Sequence, residues 1–316
     1  MPRSDTGRSR DKHERDPLVT SRMGGQVFFE RGMSVTHPSG NVCTVRFDNV
    51  AQGWEKWVLL SSDRHHDSLY CDRDLELAHL KHMVERNGYC VDVGDLFDMM
   101  QGRFDPRRTY NDLRPEYKTD TYLDDIVKDA AQFYGPFAKR FLMMGRGNHD
   151  QTIVKHTSTD PLANLVHRLN SDHGGFVQPG GYGGWVVFRF TMHKTVTKSI
   201  KLKYFHGAGG GGPVTRGVIQ TNRQAVFLPD ADIVVNGHTH DSWHVPIKRE
   251  RISDKDVVAN DIQHHIRTTT YKDEYGDGAA GWHVETGKPP KPVGAVWLRF
   301  FYNHRDVQFE ITQDVK

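Results

Sequence analysis

Asn236-Gly237-His238-Thr239-His240 follows a short apolar run, Ile233-Val234-Val235, that reads as a buried strand. Two imidazoles at i and i+2 in a glycine-containing turn can aim ring nitrogens at one small volume. Four earlier fragments repeat the order of strand, turn and ligand-type side chain. They are Ser62-Asp63-Arg64-His65, Gly94-Asp95, Gly147-Asn148-His149-Asp150 and Phe205-His206-Gly207. Together they offer carboxylates, imidazoles and one amide. That hard-to-borderline donor set suits manganese, iron, zinc, nickel or magnesium rather than a soft thiolate site.

A carboxylate that faces two metals can bridge them. Two ions about 3.5–4 Å apart can hold a shared hydroxide and clamp a phosphoryl oxygen. Asp63, His65 and His240 complete one such shell around a bridging Asp95, and Asn148, His206 and His238 complete the other. His206 has only a His-Gly context, which leaves His193 as its rival. His149 follows Asn148 in a turn, beside the ions but not bound to them. That is the place of a general acid that protonates a leaving oxygen, with Asp150 to orient it.

The elements that must carry these groups are legible as short runs. Residues 57–62 and 89–93 read as strands around a helix at about 73–86, with Leu77, Leu80 and Val84 on one stripe and Gly88 as its C-cap. This βαβ unit sets the first two ligand groups at the C-terminal edge of a mostly parallel sheet. A helix at about 121–133, a strand at 141–144 and a helix at 161–169 follow. Beyond Gly174 the texture turns to glycines and β-formers, with strands at 185–190 and 200–205. A helix at 215–225 and the 233–235 strand come next, then strands at 246–251 and 295–302 and a polar loop at 271–287. Residues 1–25 lack apolar periodicity and read as a disordered tail. Residues 26–316 read as one domain, with a hairpin at 26–50, around the turn 37–41, as an add-on.

The bulk properties exclude several classes. A formal charge of +2 gives no support to a broad nucleic-acid-binding face. No run of about 18 apolar residues predicts a membrane span, and the N-terminus lacks the apolar core of a signal peptide. Three unclustered cysteines, Cys43, Cys71 and Cys90, read as reduced packing thiols of a cytoplasmic protein.

The ordered set D-x-H, GD, GNHD, a strand-terminal H and GHTH resembles the calcineurin-like metallophosphoesterase superfamily over about residues 58–240. The whole chain also resembles uncharacterised phage-encoded members, whose compartment is the host cytoplasm. The resemblance implies an α/β fold, a four-layer α/β/β/α sandwich of two mixed β-sheets flanked by helices. It implies two divalent metal ions, manganese first among them, on the ligands named above, and His149 as the catalytic histidine. Three functions then compete: a phosphodiesterase or nuclease, a phosphomonoesterase (nucleotidase or phosphatase), and a catalytically idle scaffold on the same fold. The run Gly94-Asp95-Leu96-Phe97-Asp98 is similar to the nuclease branch and favours a diester. Substrate selection falls to the loops. The candidates are Arg107 and Arg108 in the basic segment 101–118, Arg216 beyond the glycines 207–212, His66 beside His65, and the loop 271–287. The expected partner is a phosphate-ester substrate, nucleic acid and nucleotides included, and no membrane.

Overall fold

The computed structural model describes residues 27–30, 32–99, 113–193, 196–210, 217–253, 255–276, 278–279 and 282–316. The tail 1–25 and the candidates Arg107, Arg108 and Arg216 lie outside them. In chain order the elements are β1 (Val27–Glu30), β2 (Met33–Ser39), β3 (Val42–Val50), β4 (Glu55–Ser61), α1 (Arg73–Glu85), β5 (Tyr89–Asp92), α2 (Tyr122–Tyr134), β6 (Phe141–Met144), α3 (Asn148–Thr157) and α4 (Pro161–Ser171). They continue with β7 (Gln178–Pro179), β8 (Gly183–Met192), β9 (Val196–Phe205), α5 (Val218–Phe227), β10 (Ile233–Asn236), β11 (Trp243–Ile252), β12 (Val258–Arg267), α6 (Trp282–Glu285), β13 (Gly294–Asn303) and β14 (Asp306–Val315).

The strands form two mixed sheets, in the orders β1-β2-β3-β8-β9-β10-β12-β11 and β14-β13-β4-β5-β6-β7. Strands β4 to β7 are parallel, β13 runs against them, and β14, antiparallel to β13, runs with them. The shorter sheet is buried on both faces, which explains its unbroken apolar runs. Val58, Leu60, Val91, Val296 and Leu298 point into the layer between the sheets, where they meet Val45, Phe188 and Leu202. Leu59, Cys90, Phe141 and Trp297 point the other way, against Leu80, Ile126 and Leu165 of α1, α2 and α4. The longer sheet has a thinner cover on its outer face. In β9, Ile200, Leu202 and Tyr204 are buried and alternate with more exposed residues. This is the sandwich of two mixed sheets that the family resemblance implied.

Several local expectations need correction. Residues 27–50 hold three strands, not two, and β3 pairs in parallel with β8, from Val42↔Trp185 to Phe47↔Phe190. The stretch is therefore the edge of the longer sheet. In α1 the inward face is Glu76, His79, Leu80 and Met83, while Val84 is exposed. The polar members are inside because they have partners there: Arg64 meets Glu76, and Tyr271 meets His79 through Nδ1 at 2.8 Å. The left-handed cap is Asn87 (φ 48°), not Gly88. Asn87 N–H bonds Val84 O and Gly88 N–H bonds Met83 O, the double closure of a Schellman turn. Gly88 is small for another reason: a Cβ there would lie 2.8 Å from Trp57 O.

Arg64 lies wholly buried between two carboxylates. Its Nη1 is 2.5 Å from Glu76 Oε1 and its Nε is 2.6 Å from Asp92 Oδ2. The pair ties α1 and β5 beneath the loop that carries Asp63 and His65. Removing one partner of such a group leaves uncompensated charge in the interior. Arg64→Leu is expected to cost about 3–5 kcal/mol, read as a lower urea midpoint at an unchanged slope.

Candidate metal centre

Each ligand fragment leaves the C-terminal end of a strand, and the exits are bonded to one another. Asp63 N–H donates to Gly94 O (2.8 Å), His65 N–H to Asp95 O (3.1 Å) and His66 N–H to Leu96 O (2.8 Å), so the loops after β4 and β5 run as a pair. Gly237 N–H donates to His206 O (2.7 Å), which ties the exits of β9 and β10. The centre thus draws Asp63, His65, Asp95 and Asn148 from one sheet and His206, His238 and His240 from the other.

The backbone at these positions is unusual. Asp63, His65, Asp95, His238 and His240 all have positive φ, between 45° and 76°. This left-handed conformation costs a non-glycine residue about 1–2 kcal/mol, and such strain concentrates at functional sites. Two glycines are demanded by close approach. A Cβ on Gly147 would lie 1.9 Å from Asp95 Oδ1, and one on Gly237 would lie 2.5 Å from Asp63 Oδ2.

The side chains form three overlapping groups. In the first, Asp63, His65 and His240 bring their ligand atoms within 4.8 Å of one another, in the second Asp95, His206 and His238 do the same, and in the third His65, Asp95 and His149 link the two. Asp63 Oδ2 accepts His238 N–H at 2.8 Å. Its Oδ1 is buried without a hydrogen-bond partner, 3.4 Å from His240 Nε2 and 3.9 Å from both His65 Nε2 and His206 Nε2. Asp95 Oδ1 accepts His149 N–H at 2.9 Å, which leaves Oδ2 3.1 Å from His206 Nε2. Asn148 Oδ1 lies 2.7 Å from His238 Nδ1 and 3.2 Å from His206 Nε2. An orphaned buried carboxylate oxygen among imidazole nitrogens is the donor arrangement of a cation site, so these residues fit divalent ions. His193 lies apart, its Nε2 2.8 Å from Tyr302 Oη, and takes no part.

The electrostatics follow from this crowding. Burial works against the charged form of His206, but Asp95 and Asp63 outweigh it and raise its pKa to about 9. Burial and the charge of Asp95 raise Asp150 to about 8. Burial lowers His149, only partly offset by Asp95. His206 gives a pH prediction for the chelated protein. A histidine raised from 6.5 to about 9 contributes stability that is complete below 6.5 and lost as pH rises through 9. Urea midpoints of the metal-free chain should fall across that window, and His206→Asn should flatten the fall.

Two expected roles change. Asp150 does not orient His149. It accepts N–H bonds from Gly147 (2.8 Å) and Asp95 (3.2 Å), and so clamps the backbone of both loops. The reason is that residues 148–150 form the first turn of α3 rather than an irregular turn, which points successive side chains apart. Asp98 does the orienting. His149 Nδ1–H donates to the Asp98 carbonyl at 2.5 Å, and the Asp98 carboxylate lies 3.6 Å from His149 Nδ1 and 2.8 Å from His65 Nδ1. His66, expected to face a substrate, is fully buried behind the centre, 3.2 Å from Glu76 and 3.3 Å from Asp129.

Sequence reasoning missed the supports of Asp98. Asp67 accepts N–H bonds from Asp98 (2.5 Å) and Met99 (3.1 Å) and the hydroxyl of Tyr122. Lys272, nearly buried, reaches both Asp98 oxygens at 3.0 and 3.2 Å and Glu274 at 2.6 Å. Glu274 and His283, both within the expected loop 271–287, group with His240 and so lie at the centre. Asp67 was within reach of a motif reading, two residues past His65. Lys272 had no local signal.

No family profile matches the chain, and no curated protein sequence does. Among solved structures it is similar to vacuolar protein sorting 29 from Cryptosporidium parvum, at 13% identity over 83% of this chain and 100% of that one, with a TM-score of 0.34. It is similar to the GAP50 anchor of the Plasmodium inner membrane complex, at 13% identity over 81% and 84%, with a TM-score of 0.41. A metallophosphoesterase from Sphaerobacter thermophilus gives 12% identity over 81% and 88%, with a TM-score of 0.32. At these identities and scores the function has to be read from the site itself. No helix among the described residues is long and apolar enough to cross a membrane.

Proposed function

We propose that the chain is a phosphate-ester hydrolase that works with two divalent ions, manganese first among the candidates. The observation that carries this is the unpartnered Asp63 Oδ1 among three imidazoles, next to a second group that shares the same small volume through Asp95. Asp63, His65, His240 and Asp95 would hold one ion, and Asp95, Asn148, His206 and His238 the other. Such ions, when bound, supply a nucleophile at neutral pH and offset the charge of a phosphoryl group.

The chain's own groups do the rest. Asp98 fixes the ring of His149 by accepting from Nδ1, so the nitrogen facing the centre is Nε2, 3.9 Å from Asp95 Oδ2. In the protonated ring that Nε2–H is the proton for the leaving oxygen, and the Asp98 carboxylate steadies the resulting charge pattern. An anionic substrate beside it favours the charged ring and works against the effect of burial. Lys272 holds Asp98 in place. The Gly94-to-Asp98 run favours a diester.

The test is a paired assay on the full chain with Mn²⁺, using p-nitrophenyl phosphate and bis-p-nitrophenyl phosphate, each with a chelated control. Chelator-sensitive cleavage of the diester is the expected result. Cleavage of the monoester alone would move the reading to a phosphomonoesterase, and chelator-insensitive turnover would remove the metal-dependent one.

A further inference from the structure

Helix α5 sits on the outer face of β12 with an inverted pattern. Ile219, Val226 and Phe227 are exposed, while Thr221 and Gln224 are buried. Both ends of the contact are fixed. At one end Gly217, the N-cap of α5, packs on Arg267: a Cβ there would lie 3.0 Å from Arg267 Nη2. At the other, Gln263 Nε2 donates to Leu228 O at 2.8 Å. The helix stripe 217, 221, 224, 228 therefore runs over the strand stripe 267, 265, 263. Between the fixed ends the facing groups are polar and unpaired: Thr221 Oγ1, Gln224 Oε1, His265 Nδ1 and Arg267 Nε are all buried without a hydrogen-bond partner.

Arg267 is the telling member. It is 1% exposed, yet among the described residues it has no carboxylate within ion-pair distance. Its bonds are one to the carbonyl of Gly237 and a stacking contact with Trp243, 5.2 Å from the ring centre. Asp63 and Asp241 act on it from farther off, and Asp241 is engaged by Lys291 at 2.7 Å. Interior charge is normally paired, and among the described residues this guanidinium has no counter-charge in contact. Among the described residues the first turn of α5 also lacks a side-chain cap, and uncapped amides at a helix N-terminus attract anions. Gln220 Nε2 ties that turn to Ala208 O (2.5 Å) in the loop leaving His206, and Gly237 directly precedes His238. The helix start and Arg267 thus each adjoin a loop that carries a candidate ligand.

We propose that Arg267, Thr221 and the uncapped first turn of α5 form a phosphate subsite beside the metal centre. Two sources share this chemistry: a second phosphate on the substrate, and free inorganic phosphate. The first source rests on the hydrolase reading, and the subsite itself does not.

The experiment is a thermal-shift titration of the chelated full chain with inorganic phosphate, on the wild type, Arg267→Gln and Arg267→Lys. A saturable rise in Tm is expected for the wild type. Arg267→Gln should need at least about tenfold more phosphate, with partial rescue by lysine. No saturable rise in the wild type, or an equal response in Arg267→Gln, overturns the proposal and leaves Arg267 as a support for Gly237. Should Arg267→Gln fail to fold, Thr221→Val carries the test, and an unchanged phosphate response there overturns it. With metal added, KM for a nucleoside diphosphate is compared with KM for the monophosphate. A lower value for the diphosphate that Arg267→Gln removes assigns the subsite to the substrate, while equal values alongside Arg267-dependent binding assign it to free phosphate. A chain that binds phosphate through Arg267 but hydrolyses nothing keeps the subsite and fails the hydrolase reading.

Discussion

Asp95→Asn should come off a desalting column with its metal content down from about two ions per chain to below about one. The substitution keeps shape, so Oδ1 still accepts the His149 amide and the loop stays in place. What it removes is the charge on Oδ2, 3.1 Å from His206 Nε2 and placed between the two ligand groups. One residue shared by the two proposed sites would load both, and losing its charge would weaken both at once. Ester turnover should fall by about 10³ or more, the scale of several kcal/mol of lost charge stabilisation. Elemental analysis decides the matter. Two fully retained ions in the mutant would contradict the bridging role, whatever the activity does.

His149→Ala should separate metal from chemistry. The ring meets Asp95 and Asp98 and lies edge-on to His65, with centroids 4.9 Å apart, but it is not among the seven proposed ligands, so metal content should stay near the wild-type level. Loss of a general acid is worth about 10²–10⁴ in rate. The loss should be largest for alkyl esters, whose leaving oxygens need the proton, and small for nitrophenyl esters, which do not. A plot of log kcat against leaving-group pKa should steepen in the mutant. Parallel plots would take His149 out of proton transfer.

The seven candidate ligands that the fold brings together were legible in the chain because each sits at a strand end, where a few residues of local sequence fix both the apolar run and the turn. Distant neighbours were another matter. Lys272 and Asp98 come together through the packing of the loop after β12 onto the exit of β5, and neither residue's surroundings in sequence announce it. Periodicity also fails where polar groups go inside. In α1 it selected Val84, which is exposed, over Glu76 and His79, which are buried by Arg64 and Tyr271. In α3 only Ile153 and Asp150 are buried, too little apolar signal to mark a helix. That missed helix is why the role of Asp150 was misassigned.

The division of the ligands between two sheets has a consequence for biosynthesis. Asp63, His65, Asp95 and Asn148 are all translated before β8 exists, yet the imidazoles of His206, His238 and His240 that must face them come last and arrive on the other sheet. A nascent chain that has reached Asn148 carries half a cage, open on one side. It can be sealed only when β9 and β10 dock, with β8 already paired to the waiting β3. For the hydrolase proposed above, ion capture would thus be a completion signal: it would follow the meeting of the two layers, and a ribosome stalled before His240 would hold a protein that cannot yet be loaded.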